Sequence, residues 1–274
     1  MHIGIIVPLK SKKISKDWDV TCDSLYNTLS SITNQTSQSF TILIVGHEKP
    51  PLLSKIFPNI QFHSVTFPPP DRSAENFCHM HLVNDKNLKI VTGMSLLKRR
   101  THIDYWYQID ADDLVHKDFI LNLQIIDGQA GAVLEGGYLL FKKCNRVVPS
   151  SEMSALCGST SIISSKIVEV PEEVNIESMR KVPWAKIPHK DMKKFFSTHH
   201  PESHTVFRLP LLCYVLASGD NISDKWRSNI ASKISHFLKP YLLGKKLTKT
   251  FRSNFGFDKN NFSNSNSNRI YDAK

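Results

Sequence analysis

Two apolar strands joined by a helix open the chain, and this pattern constrains its fold more than any other feature. Residues 3–9 form a continuous apolar run closed by Pro8, and Phe40–Gly46 forms a second run of the same kind. Between about Asp19 and Thr33 the apolar residues recur at helical spacing. A strand, a helix and a strand within about 45 residues predict a βαβ unit, which requires a parallel sheet with a right-handed crossover.

An aromatic strand that runs into three carboxylates is the main functional signal. Residues Tyr105–Ile109 are aromatic and β-branched, and Asp110, Asp112 and Asp113 follow directly. Ligands of α/β sheets usually bind where strands end. Three crowded acids repel one another unless a cation lies among them, so the pattern predicts a Mg²⁺ or Mn²⁺ site that holds a diphosphate. The alternative is that Asp110 or Asp113 caps the next helix.

Composition limits the class of protein. The 274 residues are 41% hydrophobic and 22% charged, as in globular proteins. No apolar run reaches the roughly 18–20 residues that a bilayer-spanning helix needs, and the first residues lack the pattern of a signal peptide, so we expect a cytoplasmic protein. Five scattered cysteines without a CxxC pair argue against a disulfide framework and a structural zinc site.

The positive charge is concentrated near the end of the chain. The net charge is +10, and the stretch from Lys225 to Arg252 holds eight cations and no acid. Three interpretations remain open for this basic segment. It packs an apolar stripe on the rest of the protein, it lies on the inner face of an anionic membrane, or it binds nucleic acid. The last is the weakest, because no aromatic-interleaved RNA motif accompanies it.

The order of these parts resembles the GT-A glycosyltransferases, in particular family-2-type enzymes. The resemblance covers about residues 3–223. It rests on the opening strand with Pro8, the strand Phe40–Val45, the DxD-type motif Gln108–Asp113, the small-residue segment Leu156–Ser159 and the stretch Tyr214–Ser223. It implies an α/β, GT-A type fold: a Rossmann-like, mostly parallel central sheet flanked by helices, with a helical basic C-terminal extension.

The resemblance also implies an activity. It predicts a metal-dependent glycosyltransferase of the hexosyltransferase type, with Mn²⁺ or Mg²⁺ as cofactor. Such an enzyme moves a sugar from a UDP- or GDP-type donor to a hydroxyl of a glycan or lipid-linked acceptor, in bacterial polysaccharide or glycoconjugate synthesis. The alternatives are a catalytically inactive binding protein of the same fold, or a nucleotidyltransferase. The latter lacks support, since the chain has no Gly-rich phosphate loop.

The resemblance assigns roles residue by residue. Asp112 is expected on the metal, with Asp110 at the sugar nucleotide and also near the ion, and with Asp113 as a further ligand or as the helix cap. Pro8 and Glu48, at strand ends, are expected to face the nucleotide.

The expected catalytic base is Asp191, which takes a proton from the acceptor hydroxyl. It stands in His189-Lys190-Asp191, where the family usually has a Glu-Asp pair. Arg72 and Lys86 are candidate diphosphate contacts.

The domain organisation predicted from the sequence has three parts. Residues 1–223 form the catalytic domain, residues 224–256 form a basic helical extension, and residues 257–274 form an Asn/Ser-rich tail that we expect to be disordered. Further strands are predicted at Ile60–Val65, Gly131–Glu135, Tyr138–Phe141 and Leu211–Ala217, and further helices at Ser73–His81, Leu88–Arg100 and Phe119–Ile126.

Overall fold

A computed structural model describes residues 1–216 and 238–257 of the chain. Its twelve described strands, in chain order, are β1 (Ile3–Pro8), β2 (Phe40–Gly46), β3 (Gln61–Ser64), β4 (Tyr105–Gln108), β5 (Leu114–Val115), β6 (Gly131–Leu134), β7 (Gly137–Phe141), β8 (Arg146–Ser150), β9 (Ser161–Ser164), β10 (His204–Phe207), β11 (Leu212–Leu216) and β12 (Lys245–Lys246).

Helices connect these strands. They are α1 (Trp18–Thr33), α2 (Leu53–Ile56), α3 (His79–Lys98), α4 (Phe119–Leu123), α5 (Met153–Leu156), α6 (Pro183–Lys186), α7 (Met192–His199) and a C-terminal helix (Lys249–Asn254). Residues 238–243 are also helical. Short 3-10 helices lie at Gln124–Ile126, Lys142–Cys144, Ser165–Ile167, Ser178–Lys181 and His189–Asp191. No helix within the described ranges is long and apolar enough to span a membrane.

The main sheet has seven strands in the order β10-β6-β9-β4-β1-β2-β3. Strand β1 pairs in parallel with both β2 and β4, and β2 pairs in parallel with β3. Strand β9 runs antiparallel to its neighbours β4 and β6 and is therefore reversed relative to the rest of this sheet. The predicted βαβ unit and the α/β class with a mostly parallel central sheet are confirmed.

Both faces of the main sheet are covered, because successive side chains of a strand point to opposite faces. On one face Ile5 and Val7 belong to a core that includes Leu25 and Leu29 of α1. On the other face Ile6 packs with the apolar side of α3. Helix α3 lies close to this face at Gly93, where a Cβ would come within 2.8 Å of the Ile6 side chain.

A smaller sheet has the order β12-β8-β7-β11-β5. Strands β7 and β11 pair in parallel, and the other pairs are antiparallel. Strand β12 belongs to the predicted extension, and Phe255 and Phe257 are buried in a cluster with Leu114 and Leu140 of this sheet. The described part of the extension thus contains a strand as well as helix and packs on the smaller sheet.

Some predicted elements differ from the structure or lie outside it. The helix predicted at Ser73–His81 overlaps α3 only at residues 79–81, because residues 73–78 form turns and loop, and α3 continues through most of the helix predicted at Leu88–Arg100. The boundaries predicted at residues 223 and 256 remain predictions. The Gly219-Asp220-Asn221 turn, the apolar stripe from Trp226 to Phe237, and the tail from residue 258 onward lie outside the described residues.

Candidate active site

The strand order of the main sheet places a crevice between β1 and β4. From β1 the chain moves outward through β2 to β3, and it then returns to the other side of β1 as β4. This reversal is a topological switch point, and ligands of open α/β sheets bind there, outside the carboxyl ends of the strands. Pro8 is the last residue of β1, and Asp110 is the second residue after the end of β4. The crevice is therefore the expected position of a functional site.

An ion pair between Asp110 and Lys86 occupies this crevice. Lys86 Nζ contacts Asp110 Oδ1, and the two side chains are 34% and 30% exposed, so solvent reaches both. Burial opposes the charged form of Lys86, but the Asp110 carboxylate outweighs it, and the pKa of Lys86 lies above its ordinary value. The structure thus combines the predicted diphosphate contact Lys86 with the first acid of the motif.

The loop before β9 lies against the Asp110–Lys86 pair. A Cβ on Gly158 would lie 3.1 Å from Lys86 Nζ and 3.3 Å from Asp110 Oδ2, so the bare backbone of this residue leaves room for the pair. The Gln108 side-chain amide donates to the Gly158 carbonyl. The hydroxyl oxygen of Ser159 accepts from the Asp110 backbone N–H at 2.9 Å. The small-residue segment Leu156–Ser159 therefore positions the acidic motif.

Asp113 lies in the core and not at the surface. Its side chain is fully buried, and its Oδ2 accepts from Ser159 Oγ at 2.6 Å and from Cys157 Sγ at 2.9 Å. Burial, together with the charges of Asp112 and Asp110, raises its pKa well above the ordinary value. The prediction that Asp113 caps a helix is wrong, because α4 begins only at Phe119. Its burial also argues against the predicted metal role.

Asp112 points to a different place from Asp110. It lines a small recess with Ser24 and Asn27 of α1, next to Lys142. Burial lowers the pKa of Lys142, while Asp23 and Asp112 partly restore it. Asp112 remains partly exposed. The three acids of the motif therefore have three environments: the crevice, this recess and the core.

A buried polar triad follows the end of β2. His47 Nε2 lies 2.8 Å from Asp85 Oδ1, and Lys89 Nζ lies 2.6 Å from Asp85 Oδ2. The Lys89 side chain is only 1% exposed. Burial lowers the pKa of Lys89, and Asp85 opposes this effect. We did not predict the triad from the sequence, although His47 directly follows a predicted strand.

A cavity of about 400 Å³ opens beside the triad. Phe67 to Asp71 line one side, and Asn84, Asp85 and Leu88 of α3 line the other. The cavity does not contain the acidic motif. The cavity lies next to the motif, because Asp85 lines the cavity while the following residue, Lys86, contacts Asp110.

The loops around the cavity are tied to one another. Glu48 accepts from the Lys12 backbone N–H at 2.9 Å, and Lys13 Nζ lies 2.6 Å from Asp71 Oδ2. The ends of β1 and β2 and the loop after β3 are therefore linked. Arg72, the other predicted diphosphate contact, is exposed in this loop. The structure records no contact of Arg72 with the motif.

Asp191 lies immediately before α7 and is partly exposed. His189 Nδ1 donates to the Ser154 carbonyl at 2.8 Å, which attaches this segment to α5, and α5 leads into Gly158. Glu135, which follows β6, accepts from the Ser154 hydroxyl at 2.9 Å and lies 2.7 Å from Lys193 Nζ. We did not predict a functional role for Glu135, although an acid at the end of a buried strand is the same signal that Asp110 gives.

The donor set fits an ion that arrives with a phosphate ligand. Among residues 1–216 and 238–257, no three His, Cys, Asp or Glu side chains are arranged to hold a metal ion. Mg²⁺, however, is usually held by one or two carboxylates together with substrate phosphates and water. Asp110 is an accessible carboxylate at the switch point, whereas Asp112 lines the separate recess beside Lys142. These oxygens suit Mg²⁺ or Mn²⁺.

No protein-family model and no curated protein matches the chain. Solved structures do match. The crystal structure of S. aureus TarS 1-349 in complex with UDP is 13% identical with a TM-score of 0.45, over 80% of this chain and 62% of that one. Mannosyltransferase PcManGT from Pyrobaculum calidifontis, in complex with GDP-Man and Mn²⁺, is 12% identical with a TM-score of 0.42, over 90% of this chain and 66% of that one.

A third match, S. aureus TarS 1-349 in complex with UDP-GlcNAc, is 12% identical with a TM-score of 0.41, over 78% of this chain and 58% of that one. The chain spans less than two thirds of the length of these proteins. The similarity is distant. No residue of this chain takes its role from it.

Proposed function

We propose that this protein is a metal-dependent glycosyltransferase that moves a sugar from a nucleoside-diphosphate donor to an acceptor hydroxyl. One observation carries the proposal. The accessible Asp110–Lys86 pair lies at the switch point between β1 and β4. A carboxylate for a cation and an ammonium for a phosphate are thereby placed together where α/β proteins bind nucleotides.

Lys86 and Asp110 exchange partners when the donor binds. The ammonium of Lys86 would turn from Asp110 to a diphosphate oxygen, and the Asp110 carboxylate would then be available to hold Mg²⁺ or Mn²⁺. Asp112 would join the same ion only by leaving the recess beside Lys142. The side chains of Lys86 and Asp110 are exposed enough to make this exchange without unfolding the site. The ion supplies a Lewis acid that neutralises charge on the departing diphosphate. Lys86 adds a second positive charge at the same leaving group.

The nucleoside lies on the β2 side of the crevice, next to Pro8 and Glu48. The cavity of about 400 Å³ beside α3 has the size of a small-molecule site and is one residue along the helix from Lys86. Its walls combine apolar side chains such as Phe67 and Leu88 with amide groups such as Asn84. Such a lining suits a base and a ribose, which need both apolar contact and hydrogen bonds.

Asp191 is the proposed base for the acceptor hydroxyl. It is a partly exposed carboxylate on a segment that His189 fixes to α5, and α5 leads into the Gly158 loop under Asp110. A base must lie within hydrogen-bond reach of the hydroxyl that it deprotonates. The acceptor, a glycan or lipid-linked sugar, therefore enters between this segment and the crevice. A cytoplasmic location remains a prediction.

A thermal-shift screen of UDP- and GDP-sugars with and without Mn²⁺ tests the proposal. A ligand present at about 100 times its Kd stabilises the native state by about 2.7 kcal/mol, which is readily measured. We expect a shift with at least one nucleotide that requires the metal, and slow release of UDP or GDP from the matching donor. Binding without any release would favour the inactive binding protein, and no shift with any donor would contradict the proposal.

A further inference from the structure

A group of exposed apolar and basic side chains lies near the end of the described chain. Residues 238–257 contain five cations and no acid. Within the same stretch Leu242 is 76% exposed and Leu243 is 64% exposed, with Leu238 and Tyr241 also exposed. We name the exposed side chains of Leu238, Tyr241, Leu242, Leu243, Lys245 and Lys246 the leucine–lysine surface.

The clustering of these apolar side chains is unusual for this molecule. Twelve large hydrophobic side chains are exposed in the described residues, and four of them lie within the six positions 238–243. The other eight are scattered along residues 52–209. Single exposed apolar residues need no explanation, but a contiguous group marks an interaction site.

The leucine–lysine surface is held by the smaller sheet. Strand β12 pairs with β8, so that Lys245 lies opposite Val147 and Lys246 opposite Arg146. Arg146 Nη1 donates to the Gly244 carbonyl at 2.7 Å, and its guanidinium lies over the Tyr241 ring at 5.6 Å from the centroid. The leucines are therefore presented by a structured segment.

Two simpler explanations account for only part of the surface. Lysines on an edge strand such as β12 discourage pairing with another chain, but they give no reason for Leu242 and Leu243 beside them. A second copy of the chain could cover the leucines, but it would bring its own lysines into the same contact. Like charges brought together in an interface are unfavourable. An anionic partner with an apolar interior satisfies both kinds of side chain.

We propose that the leucine–lysine surface binds an anionic lipid bilayer. Leu242 and Leu243 enter the boundary between headgroups and acyl chains, and Lys245 and Lys246 contact the anionic headgroups. Burial of apolar side chains and attraction of cations to anionic lipids are the two contributions that peripheral binding requires. This inference selects one of the interpretations of the basic segment and does not depend on the transferase activity.

Co-sedimentation of the full chain with phosphatidylcholine vesicles, with and without phosphatidylglycerol, tests the inference. We expect binding only to the anionic vesicles, and release as salt is raised, because the Debye length falls. The double variant Leu242→Ser/Leu243→Ser and the double variant Lys245→Glu/Lys246→Glu should each bind at least roughly tenfold more weakly.

Matched controls separate this surface from general charge and general hydrophobicity. Leu52→Ser/Ile56→Ser removes two exposed apolar side chains of similar size elsewhere, and Lys55→Glu/Lys166→Glu changes the net charge by the same amount. Both controls should bind anionic vesicles nearly as tightly as the wild-type protein does. Circular dichroism and thermal unfolding must show that all four variants are folded.

Three results would overturn the inference. The first is an absence of binding to anionic vesicles. The second is equal loss of binding in the control and test variants, which would make the effect one of total charge or hydrophobicity. The third is a concentration-dependent dimer, seen by sedimentation velocity without lipid, that Leu242→Ser/Leu243→Ser abolishes. That result would identify a second copy of the chain as the occupant.

Discussion

Substitution of Gly158 perturbs the candidate site without removing any of its charged groups. The position is open to such a test because Gly158 does not have the left-handed backbone conformation that Gly128 and Gly256 have. Alanine or valine is therefore compatible with the backbone. The added Cβ would lie 3.1 Å from Lys86 Nζ and 3.3 Å from Asp110 Oδ2. Both distances are shorter than an ordinary contact.

The size of the effect follows from these distances. An alanine requires Lys86 and Asp110 to move by a few tenths of an ångström, which both side chains can do because they are about one third exposed. We expect nucleotide affinity in the presence of Mn²⁺ to fall roughly three- to tenfold. Valine adds two methyl groups and requires these two side chains to move by about 1 Å. A misplacement of that size can lower the affinity about a hundredfold. The free energy of unfolding should change by less than about 1 kcal/mol, since a partly exposed ion pair stabilises little.

Calorimetric titration with UDP and GDP in Mn²⁺ gives the affinities, and urea unfolding gives the stability. A double-mutant cycle with Lys86→Ala identifies the cause. If Gly158→Val acts by displacing Lys86, its effect should be much smaller in the Lys86→Ala protein, because coupled residues are not additive. Wild-type affinity in Gly158→Val, or full additivity in the cycle, would refute the reasoning.

Three further predictions concern the surroundings of the site. Asp85→Ala should lower the free energy of unfolding in urea by about 3–5 kcal/mol, because Lys89 is left buried without its counter-ion, and the added change Lys89→Met should recover much of the loss. Burial raises the pKa of Glu135, but Lys193 outweighs this effect, so the pKa of Glu135 is lowered. The stabilisation that its carboxylate provides is therefore present above the ordinary carboxyl pKa and lost as pH falls. Glu135→Gln should lower the free energy of unfolding in urea by about 1–2 kcal/mol at neutral pH and by less below about pH 4, and a loss that does not change with pH would contradict this. Asp191→Asn should slow nucleotide release from the donor by about a hundredfold or more while leaving calorimetric nucleotide affinity unchanged, and a parallel loss of both would argue against a base.

The sequence predicted the sheet where apolar patterning was strong. The runs that became β1 and β2 are almost entirely buried, so hydrophobicity alone located them. Residues 82–87 of α3 were not predicted to be helical, for a physical reason. Asp85 and Lys89 face the interior as an ion pair, and polar residues at inward positions interrupt the apolar periodicity on which the prediction depended.

The acidic motif shows what local sequence cannot resolve. The acids were expected to converge on one ion because they are adjacent in the chain. In the structure the chain enters β5 at Leu114, and adjacent residues there point in different directions. Asp113 turns into the core, where Ser159 and Cys157 supply its hydrogen bonds. Those partners are 46 and 44 positions away, so only the tertiary structure identifies them.

The smaller sheet was predicted only in part, since β7 and β11 were predicted and β5, β8 and β12 were not. Strand β8 contains Pro149, and a proline weakens a strand prediction. The strand begins directly after Asn145, whose positive φ of 54° marks a turn that we did not predict from the sequence. Strand β12 consists of two exposed lysines, and no pattern distinguishes it from a loop. Both strands depend on pairing with distant partners.

Asp110 is proposed to bind a divalent ion together with a nucleoside diphosphate. Calorimetric titration of UDP and GDP, with Mn²⁺ and with EDTA, tests it in the wild-type protein, in Asp110→Asn and in the control Asp127→Asn, which replaces an exposed acid elsewhere. We expect that one nucleotide binds in Mn²⁺ but not in EDTA, and that Asp110→Asn loses this binding while Asp127→Asn keeps it. Nucleotide binding that is unchanged by EDTA or by Asp110→Asn would contradict it.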